Sequence, residues 1–280
     1  IKKFGVSMQR TGQNLTRNLT IPLAGLGIAA IKMASDFEET DTKFKTVFSS
    51  IQREAEHTAK VFKKSFGLSS KAAKQMLGDT GDLLVGFGFT EKEALNLSKQ
   101  VNELAVDLAS FTNFSGGAEG ASLALTKALL GERESIKSLG IAITEADLKS
   151  FAKDQGLVFK ELDRVAKATL TYQLALKQSS KAVGDFARTS DGFANQTRIL
   201  FGELQDLSVE IGSKLLPVAK KILTWARDML NAFSNLNAAQ KQNVIEWGLI
   251  LAAVGPVLNV FGTFTNLMVG KLIPFLFSTT

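Results

Sequence analysis

The sequence predicts an all-α protein of long helices and helical hairpins, partly coiled-coil-like, with at most a short strand element near Gly140–Thr144. Apolar residues recur three and four positions apart, the spacing of one helix face, while the strict alternation of a half-buried strand is hard to find. Threonines stand three residues before acids at apparent helix starts. Only four prolines occur, Pro22, Pro217, Pro256 and Pro274, so little interrupts the helical periodicity.

The first element is the nearly uncharged stretch LTIPLAGLGIAAIKMA, residues 19–34, which holds Gly25-x-Gly27-x-x-Ala30. A dinucleotide-binding turn would need a strand before it, a βαβ unit around it and an acid about twenty residues on. Pro22 sits where the strand would be, and Lys45 and Thr46 occupy the region of the acid. No Lys-Ser or Lys-Thr pair follows a glycine loop, so a phosphate-cradling P-loop is absent as well. The stretch is therefore expected to be a buried or membrane-seeking helix that meets water at Asp36–Asp41. The acids Asp36, Glu38, Glu39 and Asp41 are read as the start of a helix, where carboxylates suit the amino-terminal dipole or face water. His57, within REAEHTAK, reads as an exposed helical histidine.

Thr90-Glu91-Lys92-Glu93 is a capping box that opens a helix with Leu97, Val101, Leu104, Leu108 and Phe111 on one stripe. Ser115-Gly116-Gly117 ends it, and AEGASLALTKALLG reads as a shorter helix closing at Gly131. Glu132 and Glu134 flank an arginine in what reads as a loop with local charge pairing. LGIAIT is the one extended piece, and Thr144-Glu145-Ala146-Asp147 starts another helix. From about Asp163 the pattern stays helical for a long way. Leu200, Leu204, Leu207, Ile211, Leu215, Val218, Ile222 and Met229 keep near-heptad spacing, with Pro217 expected to kink or split the helix. The first five form a candidate oligomer seam; a coiled-coil partner and the core of a monomeric bundle both satisfy this spacing.

No charged residue occurs from Trp247 to Gly270. As one helix this run would reach ~36 Å, against roughly 30 Å of bilayer hydrocarbon. Trp247, Leu249, Leu251, Val254, Pro256, Val260, Phe264 and Met268 define a candidate membrane segment, with Lys271 just beyond it. Pro256 leaves two shorter apolar helices as the alternative, and insertion and permanent burial need the same composition. Gly248, Gly255 and Gly262 recur every seventh residue and are candidate helix-packing glycines.

Composition removes several classes of chemistry. The 280 residues contain no cysteine, which excludes disulfides, thiolate nucleophiles and zinc-cysteine sites. A single histidine rules out a multi-histidine metal site. The net charge of +6 mildly favours anionic partners, but the basic residues are scattered among acids with no long basic block, which gives nucleic-acid binding only weak support. No catalytic, cofactor-binding or metal-binding residues are assigned, and the chain is expected not to be an enzyme. Four segments organise it: an N-terminal apolar helix and amphipathic arm (1–66), a helical core region (67–160), a long coiled-coil-like helix kinked at Pro217 (161–236), and an apolar helix or hairpin (237–280). Ile1 is not a methionine and the apolar trend runs to the last residues, so the chain is expected to be a fragment of a longer protein.

Several stretches together resemble the core region of phage tail tape measure proteins. NLTIPLAGLGIAAIKMASDFEETDTKFKTVF is similar to that family's opening, and GERESIKSLGIAITEADL to the turn after its central helices. GDFARTSDGFANQTRILFGELQDLSVEIGSKLLPV resembles the long helix that follows, and AAQKQNVIEWGLILAAVGPVLNVFG the glycine-proline-centred apolar segment. The order of the four segments, rather than any single motif, carries the resemblance.

The resemblance implies a structural virion protein that sets tail length during assembly, fills the tail tube and is released to help genome ejection across the host envelope. It implies as partners the tail tube protein, tail tip proteins and tail assembly chaperones, with self-association, the host membrane on ejection, and DNA only indirectly. The implied locations are the tail lumen of the virion, the host cytoplasm during assembly and the host membrane on ejection. Fully helical, 280 residues would extend ~420 Å, short for such a ruler. Two rival readings are a membrane-active or pore-forming helical protein unrelated to tails, and the non-catalytic part of a cell-wall hydrolase.

Overall fold

The computed structural model describes residues 21–240 and 242. Among these residues the fold is all-α, with no strand. The helices are α1 (Ile21–Val47), α2 (Gln52–Phe66), α3 (Ser70–Phe87), α4 (Glu91–Phe111), α5 (Gly117–Leu129), α6 (Glu145–Asp154), α7 (Arg164–Gln178), α8 (Asp185–Thr189) and α9 (Phe193–Ser234), with short 3-10 turns between several of them. Residues 35–210 form one compact unit, and residues 21–34 with 211–240 belong to a second.

In the first unit α4 is the central helix. Thr90 accepts from the Glu93 amide while the Glu93 carboxylate accepts from the Thr90 amide, so the expected capping box closes two orphan donors. Leu97, Val101, Leu104 and Leu108 are buried as expected, but Phe111 is half exposed. The helix also buries Ala94, Ser98, Ala105 and Ala109, so its neighbours cover more than one stripe. Small side chains make this possible, because they let the axes of flanking helices approach from several sides. Helices α3 and α5 pack along α4, and α8 caps its far end.

Phe44 and Phe48, both almost fully buried near the end of α1, pack edge-on to one another with centroids 5.2 Å apart. They lie over Gly78 and Gly81 of α3. A Cβ at Gly81 would strike the Phe48 ring, so this glycine is required for the approach. Glycine inside a helix costs ~1 kcal/mol relative to alanine; the aromatic burial it permits outweighs that loss.

The segment Ile141–Ile143 is extended, as predicted, yet pairs with no strand. Ile141 and Ile143 point into the core, and the exposed Ala142 is held by the Gln178 side chain. The Ala142 amide donates to Gln178 Oε1 (3.1 Å), and Gln178 Nε2 donates to the Ala142 carbonyl (2.9 Å). One glutamine amide thus supplies the two bonds that a neighbouring strand would make. Thr144 and Asp147 then cap α6 reciprocally.

Two sequence expectations need correction. The acids Asp36–Asp41 lie in the middle of α1 rather than at a helix start, because the apolar stretch before them belongs to the same helix. The region from Asp163 is not one helix: α7 ends at Gln178, and α9 begins only at Phe193. A buried carboxylate stabilises that break. Asp107 of α4 accepts from the Gly184 amide (2.6 Å) and the Phe186 amide (3.1 Å), while Gly184 takes a left-handed φ of 76°. Helix α9 itself continues through Pro217 without splitting.

In the second unit Gly27, Ala30 and Ala34 of α1 are buried, and Gly212 of α9 meets α1 at Ala30 and Ala34. A Cβ at Gly212 would collide with the Ala30 carbonyl. The glycine stretch of the opening is thus a helix whose small face admits a second helix, with Ile28 and Met33 turned outward. Among the described residues no helix is long and apolar enough to cross a membrane.

Candidate functional site

Among the described residues, helix α9 carries many of the large apolar side chains left exposed. In residues 193–210 the inward positions are Asn195, Ile199, Gly202 and Asp206, three and four apart. Leu200 (55% exposed), Leu204 (46%) and Leu207 (38%) lie on the other side, and the exposed Phe201 sits on the flank. In residues 211–234 Leu215 is buried and Ile211 is intermediate, whereas Val218, Ile222, Trp225, Met229 and Leu230 are exposed. Leu200, Leu204 and Leu207 thus stand outward as a seam needs. Leu215 is buried in its own unit and Ile211 is half-buried, so neither stands outward as those three do.

The inward face was not legible as such. Its spacing is helical, but asparagine, glycine and aspartate carry no hydrophobic signal, so periodicity marks the outward leucines instead. Spacing alone cannot say which of two stripes faces the bundle.

On α1 and α3 the charged side chains form a paired network rather than a reactive cluster. Lys74 bonds both Asp41 and Glu56 (2.6 Å to the latter) and lies 5.4 Å from the Phe44 ring centroid. Lys71 pairs with Asp36 (3.4 Å), and Lys43 with Asp79 (2.8 Å) and Asp82 (3.3 Å). Asp36, Lys43, Lys71, Lys74 and Asp79 border a groove of about 310 Å³ between α1 and α3. Burial alone would raise the Asp41 carboxyl, but hydrogen bonds and charge from Lys45 and Lys74 outweigh it and hold it below the ordinary carboxylate range. Its contribution to stability is therefore present above pH ~4 and lost as pH falls through the lower folded value. Asp41→Asn should cost about 1–3 kcal/mol at neutral pH. In acid denaturation series the gap between wild type and variant should close below pH ~4; a gap that persisted there would show that packing, not charge, holds the site.

Glu134 pairs with Lys137 (2.7 Å) in a turn, and His57 is exposed on α2, both as expected. Among the described residues no group of three or more histidines, aspartates or glutamates could hold a metal ion. The candidate membrane residues Trp247, Leu249, Leu251, Val254, Pro256, Val260, Phe264 and Met268, and the glycines Gly248, Gly255 and Gly262, lie outside the described residues.

Fold and surface together define an all-helical protein with an outward apolar face on its longest described helix. Comparison with protein-family models, with curated proteins and with solved structures finds no match to this chain.

Proposed function

We propose that this chain is the core region of a phage tail tape measure protein, non-enzymatic and structural. In this reading it acts in assembly inside the tail tube, alongside tube and tip proteins and assembly chaperones, and leaves the tail when the genome is ejected. The observation that carries the reading is the order of four segments, residues 18–48, 131–148, 184–218 and 238–262, each resembling the family's corresponding stretch. The exposed apolar side chains of α9, Leu200, Leu204 and Leu207 in one unit and Val218, Ile222 and Met229 in the other, support the self-association that such a role entails.

Mass spectrometry of purified virions tests the proposal. The chain should be present in filled particles and depleted from tails after triggered DNA release; its absence from purified tails would sink the reading. Self-association has its own test. Leu207→Asp combined with Ile222→Asp should lower the mass measured by light scattering, while exposed positions of this kind change monomer stability by only about 0.5 kcal/mol each. An unchanged mass would remove this face as an interface.

A further inference from the structure

We infer that residues 193–210 of α9 are a releasable strap, latched onto the bundle by polar contacts and able to leave it while α3, α4 and α5 stay folded. Cooperative cores are held by apolar burial, and here the buried positions of the segment are Asn195 and Gly202. Asn195 Nδ2 donates to Ser110 Oγ (3.1 Å), to the Thr189 carbonyl (3.1 Å) and to Thr189 Oγ1 (2.8 Å). Its Oδ1 accepts from Arg198 (2.6 Å), which also donates to Asn113 Oδ1 (3.0 Å). One turn beyond Gly202, Asp206 accepts from the Ser70 amide (2.7 Å) in the first turn of α3 and from Lys63 Nζ (2.5 Å) at the end of α2.

Gly202 sets how closely the strap lies. A Cβ there would come within 2.8 Å of the Gly67 carbonyl oxygen and 3.0 Å of the Ser69 nitrogen, so helix rests directly on backbone. The fit is tight but buries little side chain. Ile199, over Gly67, is the apolar side chain of the segment that packs on the core. The leucines that would have anchored the strap face outward. Beneath it lies a groove of about 210 Å³ bordered by Phe66, Val106 and Phe186, which release would widen. Local opening of this kind draws on the weakest-held part of a fold, and the contacts described for this segment are mostly hydrophilic.

Hydrogen exchange of the full chain, read by mass spectrometry, tests it. Amides of 193–210 should exchange at least tenfold faster than those of the α4 interior. Asp206→Ala and Asn195→Ala should each speed exchange of the strap a further roughly tenfold, the scale of a lost charge-assisted or buried hydrogen bond, and leave α4 unchanged. Exchange of strap and α4 at one common rate in wild type would overturn the inference. So would variants that accelerate both equally, leave the strap unaffected, or lose the bundle altogether.

Discussion

Phe48→Ala should lower the unfolding free energy by about 3–5 kcal/mol, the range for deleting a fully buried aromatic side chain. Phe48 is 0% exposed, packed edge-on to Phe44 and seated against Gly81. At ~2–4 °C per kcal/mol for a chain of this size, the melting temperature should fall by roughly ten degrees. The contact with Gly81 makes a sharper test. Gly81→Ala alone should destabilise, because its new Cβ meets the Phe48 ring. In the Phe48→Ala background the same change should be neutral or stabilising, since the ring is gone and alanine is the better helix former. A double-mutant cycle in which the two losses simply add would contradict the packing.

Asn102→Leu should cost about 2–4 kcal/mol although both side chains branch at Cγ. Asn102 is fully buried at the centre of a polar layer between α3, α4 and α5. Its Nδ2 donates to the Ser98 carbonyl (2.8 Å) and the Met76 carbonyl (3.1 Å), and its Oδ1 accepts from the Ser122 hydroxyl. Thr80 and Thr126 share a hydrogen bond beside it (3.0 Å). Leucine would leave the Ser122 hydroxyl buried without its acceptor and press methyl groups against the Ser98 and Met76 carbonyls, and that penalty exceeds what those methyl groups gain. Removing the partners as well, by Thr80→Val, Ser122→Ala and Thr126→Val, should recover most of the loss. Chemical denaturation of the single and quadruple variants decides the matter. If the quadruple variant is the less stable, the layer stabilises through its own bonds, not merely through mutual satisfaction.

That layer also shows where reading the sequence stops. Asn102 sits between Val101 and Leu104 in a helix whose apolar stripe is plain, and nothing in its spacing distinguishes a buried asparagine from a solvated one. Thr80, Ser122 and Thr126 come from two other helices, so their convergence depends on how those helices cross. The Asp107 clamp on Gly184 and Phe186 joins residues about eighty apart, and it divides α8 and α9 from α7 where local periodicity reads as continuous.

The sequence by itself determined the helical class, the capped starts at Thr90 and Thr144, the stop at Gly131, the extended piece before Thr144 and the absence of thiol chemistry. These follow from interactions within a turn or two of chain, or from composition, and neither depends on what lies across the molecule. Only the tertiary structure decided which stripe of α9 turns inward, which glycines are contact points and which polar groups are buried. Leu200, Leu204 and Leu207 carry the stronger hydrophobic signal, yet Gly202 lets backbone meet backbone on the opposite side. Close approach depends on the absence of a side chain, and a residue with none has no hydrophobic signal for periodicity to reveal.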